Sequence, residues 1–181
     1  SKRVNVWLRI RPTQKFSSKI MEIHEDNKTI SIHMPKDAKK GVVNNQVNNW
    51  SFKTDGILHN ISQEEVYNEV SSELMKDGLE GFNGTIMCYG QTGSGKTFTM
   101  TGATESFSNR GIVPRASSHL YRTIEQNPHT SVTVRVSYLE IYNEQIHDLL
   151  SPLPDNHGDR ITSPIVVAED DKGVYVKGLN C

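Results

Sequence analysis

The chain has 181 residues, 35% of them hydrophobic and 23% charged, which suits one soluble domain with a real core. Its 20 basic and 21 acidic residues leave a formal net charge of −1, so nothing global draws it to nucleic acid or anionic lipid. No apolar stretch approaches the roughly 20 residues that span a bilayer, no basic start leads into a secretory apolar segment, and the 2 cysteines, Cys88 and Cys181, fit a reducing compartment better than an oxidising one.

Val4, Val6, Leu8 and Ile10 alternate with Asn5, Trp7, Arg9 and Arg11. That is strand period; it puts Arg9 and Arg11 on one face, and Pro12 stops the run. Ile20–His24 and Thr29–Met34 are two further strands around the polar turn Glu25–Lys28. Residues 35–49 read as a loop, and Trp50 and Phe52 flank Ser51 in a short alternating piece. Ser62-Gln63-Glu64-Glu65 is a capping box, and Val66, Val70 and Leu74 follow at helical spacing, predicting one helix to about Lys76. Gly78, Gly81 and Gly84 break the pattern ahead of Thr85–Tyr89, an apolar run of buried-strand type.

Residues Gly90-Gln91-Thr92-Gly93-Ser94-Gly95-Lys96-Thr97 then read G-x-x-x-x-G-K-[ST], a phosphate-binding P-loop. Glycines let backbone amides close around phosphate oxygens with no side chain in the way. Lys96 supplies a point charge for β- and γ-phosphates, and the Thr97 hydroxyl can ligate Mg²⁺. Phe98-Thr99-Met100 continue as a helix, so strand, loop and helix start are in the order that aims free N–H groups at an anion. The 7 histidines show no metal-ligand spacing with cysteine.

Beyond the loop, Ala103–Arg110 is polar and reads as a surface loop. Pro114 sits near the first turn of a helix striped by Ala116, Leu120 and Ile124. Val132, Val134 and Val136 alternate as a strand that Tyr138–Tyr142 extends, and Ile146, Leu149 and Leu150 cluster after it. Ser151–Ser163 reads as a loop, and Ile165–Val167 and Val174–Val176 are the last strand-like pieces. Strands alternating with helices place the chain in the α/β class.

Several phrases converge. Arg9-Ile10-Arg11-Pro12 is followed by Gly81-Phe82-Asn83-Gly84-Thr85-Ile86, the P-loop, Gly111-Ile112-Val113-Pro114-Arg115, Ser137-Tyr138-Leu139-Glu140-Ile141-Tyr142-Asn143-Glu144, Asp148-Leu149-Leu150, and Gly173-Val174-Tyr175-Val176-Lys177-Gly178-Leu179. In this order and spacing the chain resembles the kinesin motor domain. Val42–Asn45 and Trp50–Lys53 look most like the kinesin-9 group, a subfamily associated with cilia and flagella. The resemblance implies a P-loop NTPase fold with a central mixed sheet flanked by helices, incomplete in this chain. On this reading residues 1–181 are the N-terminal half of one motor domain, cut short after Cys181.

The resemblance also implies a function: an ATPase stimulated by microtubules that binds ATP and Mg²⁺ and couples hydrolysis to movement along them. The implied partner is tubulin rather than nucleic acid or membrane. The implied location is the cytoskeleton of the cytoplasm, with the ciliary or flagellar axoneme suggested by the subgroup, and any oligomerising segment lies elsewhere. By matching position, Arg9, Arg11 and Pro12 should form the adenine pocket, with Phe82 and Phe98 bordering the base. Residues Gly90–Thr97 should wrap the phosphates, and basic residues of the stretch 144–173, Arg160 and Lys172 among them, are candidates for contact with acidic tubulin.

Two switch motifs expected of such a motor, N-x-x-S-S-R-S-H and D-x-x-G-x-E, do not occur in these residues, so no catalytic residue is assigned and this stretch alone is expected not to hydrolyse ATP. Ser117-Ser118-His119 and Asp155-Asn156-His157-Gly158 mimic parts of them. Asp170, at the end of an apolar run, mimics a Walker-B acid, but the resemblance implies a peripheral hairpin here, with Asp171-Lys172-Gly173 as its turn. A nucleotide-gated microtubule tether without stepping is the alternative. An unrelated P-loop enzyme would leave the Arg9–Pro12 and Tyr138–Leu150 phrases unexplained.

Overall fold

The computed structural model describes residues 3–13, 16–34, 48–103, 105–151, 165–171 and 173–180. Contacts divide the chain into two units, Ser1–Asn127 and Pro128–Cys181.

In the N-terminal unit, β1 (Trp7–Ile10) pairs in parallel with β5 (Gly56–His59), with Trp7 opposite Gly56 and Ile10 opposite His59. A parallel pair needs a long crossover, and here the crossover holds a separate antiparallel sheet of β2 (Met21–Ile23), β3 (Thr29–His33) and β4 (Asn49–Lys53). Asp26 shapes the β2–β3 turn. Its carboxylate accepts from the Lys28 and Thr29 amides, both at 2.9 Å, and from the Thr29 hydroxyl at 2.7 Å. Those bonds, the Lys28 amide first, lower its pKa to about 2. Arg3 pairs with Asp55, which also accepts from the Val6 amide at 2.8 Å and so docks the start of β1 beside β5.

The capping box forms as predicted. The Glu65 amide donates to Ser62 Oγ at 3.2 Å, and the Ser62 amide to Glu65 Oε2 at 2.7 Å. The single predicted helix is two, α1 (Gln63–Val70) and α2 (Ser72–Leu79), broken at Ser71, where φ is −121°. Paired serines favour non-helical backbone, and periodicity alone does not register that. After α2 come α3 (Lys96–Met100), a 3₁₀ turn at Phe107–Asn109, and α4 (Ile112–Glu125). The core is Leu58 of β5, Val66 and Tyr67 of α1, and Ile112 of α4, with Trp7, Val70, Met75, Ile86, Met100 and Ala116 packed against it.

The second unit holds two hairpins. Strands β6 (Leu139–Tyr142) and β7 (Gln145–Asp148) turn at Asn143 and Glu144, whose φ values of 49° and 63° make a two-residue turn matched to strand twist. Strands β8 (Val166–Asp170) and β9 (Gly173–Lys177) form the other. The Asn180 amide and side chain both donate to Asp148 Oδ2 at 2.9 Å.

The described residues mix helices with strands in four small sheets, consistent with a central mixed sheet that is incomplete in this chain. Two strand expectations need correction. Thr85–Tyr89 and Val132–Val136 pair with no strand among the described residues, and Met87 and Tyr89 are 83% and 98% exposed rather than buried. Alternating or continuous apolar residues report a surface that wants covering; a ladder also needs a partner's N–H and C=O groups. Strands β5 and β7 were not predicted. Gly56-Ile57-Leu58-His59 is too short to show a period, and the turn at Asn143-Glu144 lacks glycine. No helix among the described residues is long and apolar enough to cross a membrane.

Removing the cap should loosen α1 locally. Ser62→Ala is expected to cost about 1 kcal/mol, seen as a roughly fivefold faster exchange of the α1 amides; unchanged exchange would show the cap to be idle. Because the folded pKa of Asp26 lies below its unfolded value, its contribution is present above about pH 4 and is lost as pH falls through about 2. A carbon-detected titration should place the Asp26 midpoint well below those of other exposed carboxylates; a midpoint near 4 would mean the turn bonds do not hold in solution.

Candidate nucleotide site

The loop Gly90–Thr97 runs into α3, and its shape depends on backbone that side chains resist. Gly95, the residue before α3, has φ 103°, and Gly93 has φ 79°. Both lie in the left-handed region, where a Cβ is strained. The Ser94 amide closes a turn onto Gln91 O at 3.1 Å, and Thr99 N donates to Gly95 O at 2.9 Å to begin the helix. Lys96 Nζ folds back over the loop and donates to Gly90 O at 2.8 Å and Gln91 O at 3.0 Å. Thr97 is exposed in the first turn of α3, whose leading N–H groups have no acceptor within the helix. With only five residues, α3 adds little macrodipole, and Lys96 is the cation that lies over the loop.

Two predicted arginines come to this loop. Arg9 Nη1 donates to Thr99 Oγ1 at 2.8 Å, and that hydroxyl donates to Gly95 O at 2.9 Å. The Arg9 guanidinium lies 5.6 Å from the centre of the Phe98 ring. Burial lowers its pKa, and the nearby Cys88 acts the other way. It remains a cation, since arginine starts so high. Burial raises the Cys88 thiol, with Arg9 opposing, so Cys88 stays protonated at neutral pH. Arg11 Nη1 donates to Gly93 O at 2.6 Å. Arg11 lies one residue beyond the end of β1, so its alignment with Arg9 comes from the loop it reaches rather than from a shared strand face.

Pro12 follows, exposed. The two phenylalanines separate: Phe98 lies under Arg9, whereas Phe82 is tied by its amide to Asp77 O of α2 at 3.0 Å, with its ring 65% exposed.

Beyond α3, Gly102–Ala103 and Asn109–Gly111 come together as a narrow neck. Gly102 bridges Arg110, the Ala103 amide donates to Asn109 O at 3.0 Å, and the Gly111 amide to Thr101 O at 3.0 Å. A Cβ on Gly102 would collide with Asn109 O and with the Gly111 nitrogen. Arg115 of α4 donates Nε to Arg110 O at 2.9 Å and Nη2 to Ser108 O at 3.1 Å. The Phe107 ring has Arg110 at 4.9 Å and Arg115 at 6.0 Å.

Gln63 escaped the sequence reading. It is 4% exposed, and its Nε2 donates to Phe98 O at 2.7 Å and Asn109 O at 3.1 Å. Its position inside a capping box accounted for it locally, and no local pattern marks a side chain that reaches another helix.

Two of the three mimics fall away on geometry. Ser117 and Ser118 donate to Val113 O and Pro114 O of their own helix, and His119 Nδ1 bonds the Tyr67 hydroxyl at 2.7 Å. Asp170 ends β8 opposite Gly173 in a hairpin, with Asp171 in the turn. Asp155–Gly158, Arg160 and Lys172 lie outside the described residues. Among those described, no three His, Cys, Asp or Glu side chains come together as metal ligands. The groups the loop does offer, backbone amides, a lysine and the Thr97 hydroxyl, suit a phosphate accompanied by magnesium.

The family profile described as the kinesin motor domain matches residues 9–181. The chain is 53% identical over 179 residues to kinesin-like protein KIF9 of Mus musculus and 50% identical over the same length to that of Homo sapiens, covering 99% of this chain and 22% of each relative. It is 42% identical over 177 residues to kinesin-like protein KLP1 of Chlamydomonas reinhardtii, 97% of this chain and 22% of that protein. The chain thus spans about a fifth of the length of these relatives.

Proposed function

The chain belongs to the kinesin motor-domain family, and from that membership we propose that its glycine loop binds ATP with Mg²⁺ for a motor that converts hydrolysis into movement along microtubules. The observation that carries this reading is the convergence of Arg9 and Arg11 on the loop that Lys96 spans. Loop amides and Lys96 take the β- and γ-phosphates. Bound magnesium would neutralise charge on those oxygens, and Thr97 is the residue that holds it. Arg9 and Phe98 form the base side, with Arg11 and Pro12 at its rim. Phe82 remains at the border of that pocket on family grounds alone.

Hydrolysis also needs groups that place the attacking water. The two switch motifs are not among these 181 residues, so these residues are assigned binding and orientation only. The same observation keeps open a second reading, a nucleotide-gated microtubule tether without stepping. A place on the cytoplasmic cytoskeleton follows from the motor reading, and a ciliary or axonemal one from the resemblance to the kinesin-9 group.

In the full-length protein, Lys96→Ala should weaken ATP binding by roughly 10- to 100-fold, the scale of one charge-assisted hydrogen bond, and abolish turnover. Unaltered steady-state ATPase would remove Lys96 from the site. Arg9→Ala should weaken ATP by about tenfold, the scale of a partly desolvated cation–π contact, while inorganic tripolyphosphate loses less than about twofold. Equal losses for the two ligands would take Arg9 out of the base pocket.

A further inference from the structure

We infer that Gln63 is a positioning residue for the base side of the nucleotide site, acting through the end of α3 on the partners of Arg9. This rests on the reading of Arg9 and Phe98 given above.

The reason lies in an unfinished helix end. The N–H four residues beyond Phe98 belongs to Gly102, and it donates to Thr97 O at 3.1 Å instead. Phe98 O therefore lacks its helical donor, and Gln63 Nε2 supplies one at 2.7 Å from a different helix. The second Nε2 hydrogen goes to Asn109 O at 3.1 Å, on the far side of the neck of the 103–110 loop. Both acceptors are carbonyl oxygens, so the amide orientation is settled by chemistry; the reverse would set oxygen against oxygen. Gln63 stands at the first position of α1, three residues from Val66, which is 1% exposed in the core. Its anchor does not move easily.

The consequences run to Arg9. That guanidinium has two described partners in α3, the Phe98 ring and the Thr99 hydroxyl. Phe98 is the residue whose carbonyl Gln63 holds, and Thr99 is its neighbour. Without the amide, the last turn of α3 loses its described hydrogen bond to α1 and is left with the packing of Met100 on the core, and the neck loses one of its cross-links, so the surface under Arg9 shifts. The phosphate loop has no bond to Gln63; the Thr99 amide and hydroxyl join it to α3 at Gly95 O within the first helical turn, so the loop should keep its form.

The test is a thermodynamic cycle in the full-length protein. Gln63→Met keeps length and removes both donors; Gln63→Glu keeps shape and sets a carboxylate against two carbonyls. Each is expected to lower ATP affinity by about tenfold, the effect of losing the Arg9 contact, and tripolyphosphate affinity by less than about twofold. In an Arg9→Ala background, Gln63→Met should cost nothing further for ATP. Equal losses for ATP and tripolyphosphate, or full additivity with Arg9→Ala, would overturn the inference. A measurement on the unaltered protein covers the case in which both variants fail to fold: the two Gln63 side-chain amide protons should exchange far more slowly than those of exposed glutamines, and more slowly again with ATP but not with tripolyphosphate. Fast exchange, or equal slowing by both ligands, would overturn it. If Arg9→Ala itself fails to separate the two ligands, the base pocket falls, and this inference with it.

Discussion

The N-terminal unit depends on the burial of one short face of α1. Val66 and Tyr67 pack with Leu58 of β5 and Ile112 of α4, so a single helical turn joins the parallel strand pair to the longest helix. The Ser62–Glu65 capping box fixes where that turn begins. A helix of eight residues is marginal alone, so the cap and the core contact sustain each other. Gln63, in the same turn, then reaches α3 and the neck of the following loop. The turn that seats α1 in the core thus also reaches the P-loop helix.

Charge at the candidate site is organised by neutral oxygens. Lys96 is held by the carbonyls of Gly90 and Gln91, Arg11 by that of Gly93, and Arg9 by the Thr99 hydroxyl and the Phe98 ring. Carbonyls and hydroxyls orient a cation without cancelling it, whereas a carboxylate would do both. Among the described residues no carboxylate pairs with these three positive charges around one glycine loop, in a chain whose formal net charge is −1. Local placement, not total charge, is what suits the loop to the polyanion proposed for it. Cys88 beside Arg9 fits the same picture, since burial keeps it a neutral thiol rather than a competing anion.

Much of this was legible beforehand because it is written in local patterns. The P-loop is a run of consecutive residues whose glycines meet backbone demands at Gly93 and Gly95. The capping box is equally local, whereas the hairpin turn at Asp171 and Gly173 was expected through the family resemblance. What escaped was non-local or too short to have a period. Strand β5 is four residues long and exists through its ladder with β1. The pairing of Arg9 with Phe98 rather than Phe82 turns on which aromatic α3 carries past β1. Thr85–Tyr89 has the composition of a buried strand, yet it pairs with none of the described residues.

By itself, then, the order of residues determined the chemistry on offer: a glycine loop of phosphate-binding pattern, a lysine and a threonine at its end, and two arginines upstream. Each of these follows from backbone preference and side-chain type within a few residues, where chain connectivity alone sets the distance. Tertiary structure decided which groups meet across 35 to 90 residues of sequence, including Arg9 with Thr99 and Gln63 with Phe98. Those contacts depend on how helices and strands pack around Val66, and packing is a property of the assembled core that no short window of sequence contains.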